Sequence, residues 1–439
     1  MRLKSAALAI TTLFASTPLL AADLMDIYRE ALSQDPVYAS ARYAYEASRE
    51  AYPQARAGLL PSISLSGSYG RNRRDIEDLP TLDYTSHSYS LTLSQPLFRM
   101  QTWIAVDQAG MQVKQAEAVF ADASQNLIVR TAQAYFDVLL AQDNVSLSAA
   151  QKTAISEQLA QAKRNFEVGT ATITDTYEAQ AKYDLGVAKE ISDLNDLAIK
   201  KQALQQLIGK MPASLAPLRD QPIPVLPAQE DMEQWVTAAE EASPVIAQSR
   251  LAYEIAAKDV DRSKAGHLPT LDLAGSYNGG NSPLTTATGA LSSLIESKSG
   301  VIGLNLTIPL YQGGGTQSRI RQSLSSREKA AQDLENSKRT VAQNVRQNYL
   351  GLTNGFAQVK ALEAALVSNK SSLDATVLGK EVGVRTNVDV LNAQQQLFQA
   401  QRDLQQARYN TALSQLRLKS AAGRLKDDDL AQVNALLAK

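Results

Sequence analysis

Between Ser62 and Tyr69 the chain alternates strictly. Ile63, Leu65, Gly67 and Tyr69 fall on one face, and Ser62, Ser64, Ser66 and Ser68 on the other. A period of two predicts a strand with one apolar face. Three more segments share the pattern. Leu91 and Leu93 alternate with Ser90, Thr92 and Ser94. Leu271, Leu273 and Tyr277 oppose Thr270, Asp272 and Ser276, and Ile302, Leu304, Leu306 and Ile308 oppose Gly303, Asn305 and Thr307. Strands are therefore expected near 62–72, 87–96, 269–279 and 300–310. Their polar faces are small and hydroxylated, without the charges common on the wet side of a soluble sheet.

Elsewhere the pattern is helical. Residues 101–166 and 316–380 contain no proline and few glycines. At ~1.5 Å per residue each region makes a rod on the order of 100 Å long. Turns at Gly169 and Gly383 lead into second helices, expected over 174–209 and 387–423. In the latter, Val390, Ala393, Leu397, Ala400, Leu404 and Ala407 keep a 3-4 spacing. Leu alternating with Ala in such a seam lets helices approach closely, and by itself it predicts a plain coiled coil. Shorter helical regions are expected over 36–57 and 244–264.

The two halves follow one plan. Pro36 and Pro244, Pro61 and Pro269, and Tyr69 and Tyr277 are each 208 residues apart. Pro96 and Pro309 differ by 213, and Gly169 and Gly383 by 214. Ordered landmarks whose offset creeps by a few residues indicate a duplication. The first repeat is placed at 23–225 and the second at 229–439, with a proline-rich crossover at 209–228 that cannot be long helix.

Composition narrows the chemistry. The net charge of −1 gives no electrostatic case for nucleic acid. There are no cysteines, so thiolate metal sites, cysteine nucleophiles, disulfides and a cysteine-borne lipid anchor are all excluded. His87 and His267 lie on different segments. No cofactor or metal site is expected, and no nucleophile–base arrangement suggests an enzyme. "YQGGGTQ" from Tyr311 lacks the Lys-Ser/Thr of a phosphate loop and sits at a strand-to-helix junction, where a bend is expected. Arg2 and Lys4, a short apolar run and Leu20-Ala21-Ala22 read as a secretory signal peptide over 1–22.

The alternating strands admit two readings: a half-buried sheet in a soluble exported domain, or part of a membrane barrel with its polar face to a watery lumen. The segments between paired strands, "RNRRDIEDLPTLDYTSH" and "NGGNSPLTTATGALSSLIESKSG", are long and polar, and are expected to be loops at one end. Tyr69, Tyr89 and Tyr277 are expected near strand ends as interfacial aromatics. A spanning sheet must close, because open edges in lipid leave backbone groups unpaired. Four strands are too few for a barrel of ~8 or more, so the membrane reading requires subunits to share one.

These features resemble the TolC-like outer-membrane factors. The resemblance covers essentially the whole chain after the leader and is most specific in "VGVRTNVDVLNAQQQLFQAQRDLQQARYN" and "FEVGTATITD". It implies an α+β membrane protein: a homotrimer in which four strands per chain form a twelve-stranded barrel in outer-membrane lipid. A tube of coiled helices would continue the barrel into the periplasm. It implies an exit duct for efflux or type I secretion, served by a periplasmic adaptor and an inner-membrane transporter of ABC, RND or MFS type. The soluble alternative is a periplasmic coiled-coil adaptor or scaffold. The resemblance also implies a gate at the periplasmic tip, with Asp389 in a carboxylate ring, Asp175 as its first-half counterpart, and Arg385 and Thr174 in links that hold the tip shut. From the residues alone, Asp389 after Thr386 and Asp175 after Thr172 are equally explained as helix caps. The chain departs from the family's pattern in having Asn392 in place of a second aspartate and Lys380 in place of a tyrosine. Its ring is thus expected to be less acidic, and to bind cations more weakly, than a doubly acidic one.

Overall fold

The computed structural model describes residues 21–75, 77, 81–219, 231–285 and 291–438. Residues 1–20 of the expected leader (1–22) and 220–228 of the expected crossover (209–228) lie outside them. The first half runs α1 (Leu24–Gln34), α2 (Pro36–Arg49), α3 (Ala51–Ala57), β1 (Ser62–Arg74), β2 (Leu82–Phe98), α4 (Met100–Glu167) and α5 (Ile173–Ile208). The second runs α6 (Met232–Ala242), α7 (Pro244–Lys264), β3 (Thr270–Thr285), β4 (Leu291–Thr307), α8 (Gly315–Glu381), α9 (Asn387–Ala421) and α10 (Asp427–Asn434).

The two rods form as expected: α4 has 68 residues and α8 has 67. α4 packs along α5 and α8 along α9, while α7 lies against both α4 and α8. The predicted seam is real, since Val390, Ala393, Ala400, Leu404 and Ala407 are all buried. Mid-rod, Leu24, Leu127, Tyr135, Phe136, Leu204, Leu413 and Leu430 bring α1, α4, α5, α9 and α10 into one core. Leu215 and Leu218, from the start of the crossover, bridge to Ala22 and Leu437. The buried Tyr135 hydroxyl donates to the Ala216 carbonyl at 2.8 Å and locks that strap to the rod. Asp35, 3 % exposed, caps α2 and pairs with Arg130 of α4 at 2.5 Å.

Two expectations are corrected here. The helix expected over 36–57 breaks at Glu50, because Pro53 supplies no N–H to continue the ladder across the break. The segments expected to be long loops are mostly strand. β1 reaches Arg74 and β2 starts at Leu82, while β3 and β4 run to Thr285 and from Leu291. Ser, Gly and Asn on both faces conceal the alternation in these outer portions. Tyr69, Tyr89 and Tyr277 consequently sit mid-strand rather than near strand ends.

The four strands form one antiparallel sheet in the order β1-β2-β3-β4. Its register gathers the apolar positions on one face, with Leu65 opposite Leu91, Leu91 opposite Tyr277 and Leu273 opposite Leu304. That face is uncovered: Ile63, Leu65, Ile302 and Leu304 are 63–75 % exposed. The opposite face carries Ser62, Ser64, Thr92, Ser276 and Asn305. The tyrosines mark the end of the apolar band instead of the end of the strands. Tyr89 pairs two residues below Tyr69 on β1, and Tyr277 pairs two residues below Tyr89 on β2, so the three lie on one diagonal. Two residues of stagger per strand means a tilt of about 50°, steeper than but close to common barrel values. Measured from this diagonal, the apolar stretches are 60–69, 89–98, 268–277 and 302–311, each ten residues long and ended at the other side by Leu60, Phe98, Leu268 and Tyr311, with regular strand covering 62–69, 89–98, 270–277 and 302–307 of them. A tilted strand needs about 9–11 residues to cross a bilayer.

Close strand contact constrains two adjacent glycines. A Cβ on Gly279 would meet the far end of the Tyr89 ring, which can swing away, but one on Gly280 would come within 2.4 Å of the His87 carbonyl. Gly280→Ala is expected to cost about 1–3 kcal/mol and to lower the thermal unfolding temperature of the purified protein. Gly279→Ala should change it much less. Equal effects would show that the strands part freely here.

Candidate functional site: the tip of the helical rods

Each rod ends in the same turn. Gly169 (φ 76°) and Gly383 (φ 82°) take the left-handed conformation that favours glycine. After α4, the Gly169 N–H donates to Phe166 O and the Thr170 N–H to Asn165 O. After α8, Gly383 donates to Lys380 O and Val384 to Gly379 O. These bonds satisfy the last carbonyls of each rod and reverse the chain.

The following helix starts with a reciprocal cap in both halves. In α9 the Thr386 N–H and hydroxyl each donate to Asp389 Oδ2 at 2.8 Å, and the Asp389 N–H donates to Thr386 Oγ1 at 3.2 Å. In α5 Thr172 and Asp175 do the same. The capping reading of both aspartates therefore holds. Capping also prepares charge: the Thr386 backbone bond, then its hydroxyl and the nearby Arg385, hold the Asp389 carboxyl below its usual range.

The other expected residues divide. Thr174 is exposed in the first turn of α5 and Asn392 is exposed one turn into α9. Neither contributes a side-chain hydrogen bond to another described residue. Arg385 packs across Gly379, where a Cβ would sit 2.7 Å from its Cγ, and forms no ion pair with another described residue. Lys380 is the residue that joins elements. Its Nζ donates to Gln161 Oε1 of α4 at 3.0 Å and to Asn387 Oδ1 of α9 at 2.9 Å. Burial lowers its pKa, and the charge of Asp175 partly opposes that shift.

Sequence reasoning missed the ties above the turns. Lys182 reaches Gln395 at 2.8 Å, and Lys152 pairs with Glu190 at 2.5 Å. Asp193, 7 % exposed at its side chain, pairs with Lys189 at 2.6 Å and faces Arg402 of α9 at 3.8 Å. A cavity of about 230 Å³ between the hairpins is lined by Gln151, Lys182, Lys189, Gln399 and Arg402. No sequence signal reveals the Lys182–Gln395 and Asp193–Arg402 partners, which lie more than 200 residues apart on separate helices, whereas Lys189 and Asp193 are an i,i+4 pair on α5 that the spacing alone could have offered. Ile155, Leu159, Ala162, Ala179 and Leu391 form the small apolar core beneath. Around the turns, Val168, Tyr177, Val382 and Val384 are 66–75 % exposed.

Among the described residues no cluster of His, Asp or Glu can hold a metal ion. No described helix is long and apolar enough to cross a membrane, which leaves the sheet as the element with a lipid-compatible face. Paired ~100 Å rods, a sheet apolar on its outer face and capped turns at the far end define a channel subunit of the outer membrane that extends into the periplasm. The sequence model of the outer membrane efflux protein family matches residues 27–210 and 235–424, and the chain belongs to that family. It is 36 % identical to the outer membrane protein TolC of Vibrio cholerae over 420 residues, covering 96 % of this chain and 95 % of that protein. It is 34 % identical to the alkaline protease secretion protein AprF of Pseudomonas aeruginosa, covering 94 % and 86 %. In fold it matches solved CusC with a TM-score of 0.79 at 18 % identity, covering 92 % and 93 %. It matches the outer membrane protein VceC of Vibrio cholerae with a TM-score of 0.76 at 19 % identity, covering 91 % and 96 %.

Proposed function

We propose that three copies of this chain close a twelve-stranded barrel and form the outer-membrane exit duct of an efflux or secretion assembly. The observation that carries this is the unpaired edges. β1 and β4 each pair on one side only, and the sheet's outer face is apolar over one bilayer thickness. Lipid tolerates no open edge, so β1 of one copy must meet β4 of another. A soluble coiled-coil adaptor, the competing reading, would have no use for this uncovered face. The family's name states efflux, and AprF's name states protease secretion. By that likeness the cargo arrives from an inner-membrane transporter, through a periplasmic adaptor docked near the tip. No reaction is catalysed, and the duct is passive.

In this reading the tips of α8 and α9 converge on the threefold axis and bring three Asp389 carboxylates together. Arg385 and Thr174, whose side chains form no ion pair or hydrogen bond with another described residue, are placed to bond a neighbouring copy. Lys380 holds the inner hairpin to the outer one.

The test is native mass spectrometry of the detergent-extracted protein together with conductance in a planar lipid bilayer. A trimer giving discrete, cation-preferring channels is expected. A monomer or dimer without channels would overturn the shared barrel.

A further inference from the structure

The apolar band ends at the tyrosine diagonal, but the same outward face continues above it, and what it carries there is basic. The outward position next above Tyr69 is Arg71, followed by Arg73. Four residues above the diagonal on β4 lies Lys298, paired with Gly279. All three are exposed, and none forms a salt bridge with another described residue. At ~3.3 Å per residue and a tilt of about 50°, Arg71 stands ~4 Å and Arg73 and Lys298 ~8 Å above the tyrosines. That depth is the headgroup layer, which extends several Å beyond the hydrocarbon. The acidic residues of the same face, Asp83 and Glu296, come one step further out along the tilted axis; Asp83 is the direct cross-strand partner of Arg73 in register, but the two side chains form no ion pair. Arg74 points to the other, lumenal face and takes no part.

We infer that Arg71, Arg73 and Lys298 form a collar that binds phosphate-bearing lipid headgroups of the outer leaflet. The inference rests on the outer-membrane barrel reading above, with the strand hairpins facing outward. Charge complementarity selects the occupant: cations at headgroup depth on a lipid-facing surface meet anionic headgroups, each contact favoured by the surface field. Arginine suits phosphate because its planar fork donates two bonds at once. The stems of all three side chains can lie on the barrel while their charges reach upward. If the barrel closes as proposed, β1 of one copy lies beside β4 of the next. The two arginines of one copy then join the lysine of its neighbour, giving three lipid sites per trimer.

The experiment uses the full chain in detergent micelles, with purified lipopolysaccharide as the probe in two forms, phosphorylated and chemically dephosphorylated. Bound lipid is counted by native mass spectrometry, and the same preparations are tested for bilayer conductance. The native protein is expected to bind the phosphorylated form at least tenfold more tightly, and rising salt should weaken that binding. The triple variant Arg71→Gln, Arg73→Gln, Lys298→Gln should lose the preference while conducting normally. Lys338→Gln, on the distant α8, should keep it. Equal affinity for the two lipids, or a triple variant that binds as the native chain does, overturns the collar. Displacement by a large excess of inorganic phosphate would show a free-anion site and overturn the lipid assignment. Should the triple variant fail to assemble, Arg71→Gln alone and the salt dependence of the native protein decide, and salt-insensitive binding counts against the proposal. Loss of conductance in the native protein would instead strike at the barrel itself.

Discussion

Channels of the Asp389→Asn variant are expected to lose block by trivalent cations by about tenfold or more, while the tip remains folded. The expectation separates the two roles that Asp389 can play. As a cap it needs only an acceptor for the Thr386 N–H and hydroxyl, and the asparagine amide oxygen supplies one. As a ring it needs charge, since three like carboxylates around a narrow mouth concentrate cations and their effect grows with cation valence. Thr386→Ala makes the opposite cut. It removes the hydroxyl of the capping box but leaves the charge, so it should loosen the turn and preserve block. Asn392→Asp adds a second ring one turn along α9 and should tighten block. The pH dependence follows from the lowered pKa of Asp389. A carboxylate whose folded pKa is depressed keeps its charge, and the stability that goes with it, at all pH values above the unfolded value of 3.8, and loses both as pH falls through the lower folded value. Block should therefore persist at mildly acidic pH. Native-like block in Asp389→Asn would leave Asp389 as a cap alone.

Much of this molecule was readable before its structure. The rods were visible because 101–166 and 316–380 lack helix breakers, and the strands because Ile63, Leu65, Leu91 and Leu304 alternate with small polar residues. The duplication placed Asp175 and Asp389 at equivalent positions, and both prove to cap their helices in the same way. The extent of the strands was not readable. Alternation is visible only where one face is continuously apolar, and above the tyrosine diagonal, toward Arg74 on β1 and Leu291 on β4, small and polar residues occur on both faces. Tyr69, Tyr89 and Tyr277, expected near strand ends, mark the end of the apolar band instead. The ties between hairpins were also hidden. Nothing near Lys380 in the chain indicates Gln161, and Asp193 and Arg402 meet only because two separate coiled coils lie side by side. A sequence pattern reports what a segment faces, whereas a gate depends on which segments are neighbours.

That dependence makes Lys380 the second test of the tip. The Lys380→Met variant is expected to conduct severalfold better than the native channel without a loss of thermal stability. Methionine replaces the aliphatic stem, so packing between α8 and α9 is largely kept, but the bonds to Gln161 and Asn387 disappear together. Those bonds join the end of α8 to α4 and to the first turn of α9, the contacts that must part if the inner hairpin swings away from the outer one. Stability should hold because the native lysine is charged in a partly desolvated place, which lowers its pKa. Its folded pKa lies below the unfolded value of 10.5, so the cost of burying the charge is present at neutral pH and fades as pH rises from the lowered value toward 10.5. The native protein should gain stability across that alkaline window through this group, and Lys380→Met should lack the gain. Gln161→Leu removes one bond from the other side and should raise conductance by less. Combined with Lys380→Met it should add little, since partners in one interaction are not additive. A Lys380→Met channel with native conductance would place the closing force elsewhere, at the contacts proposed for Arg385 and Thr174 between copies.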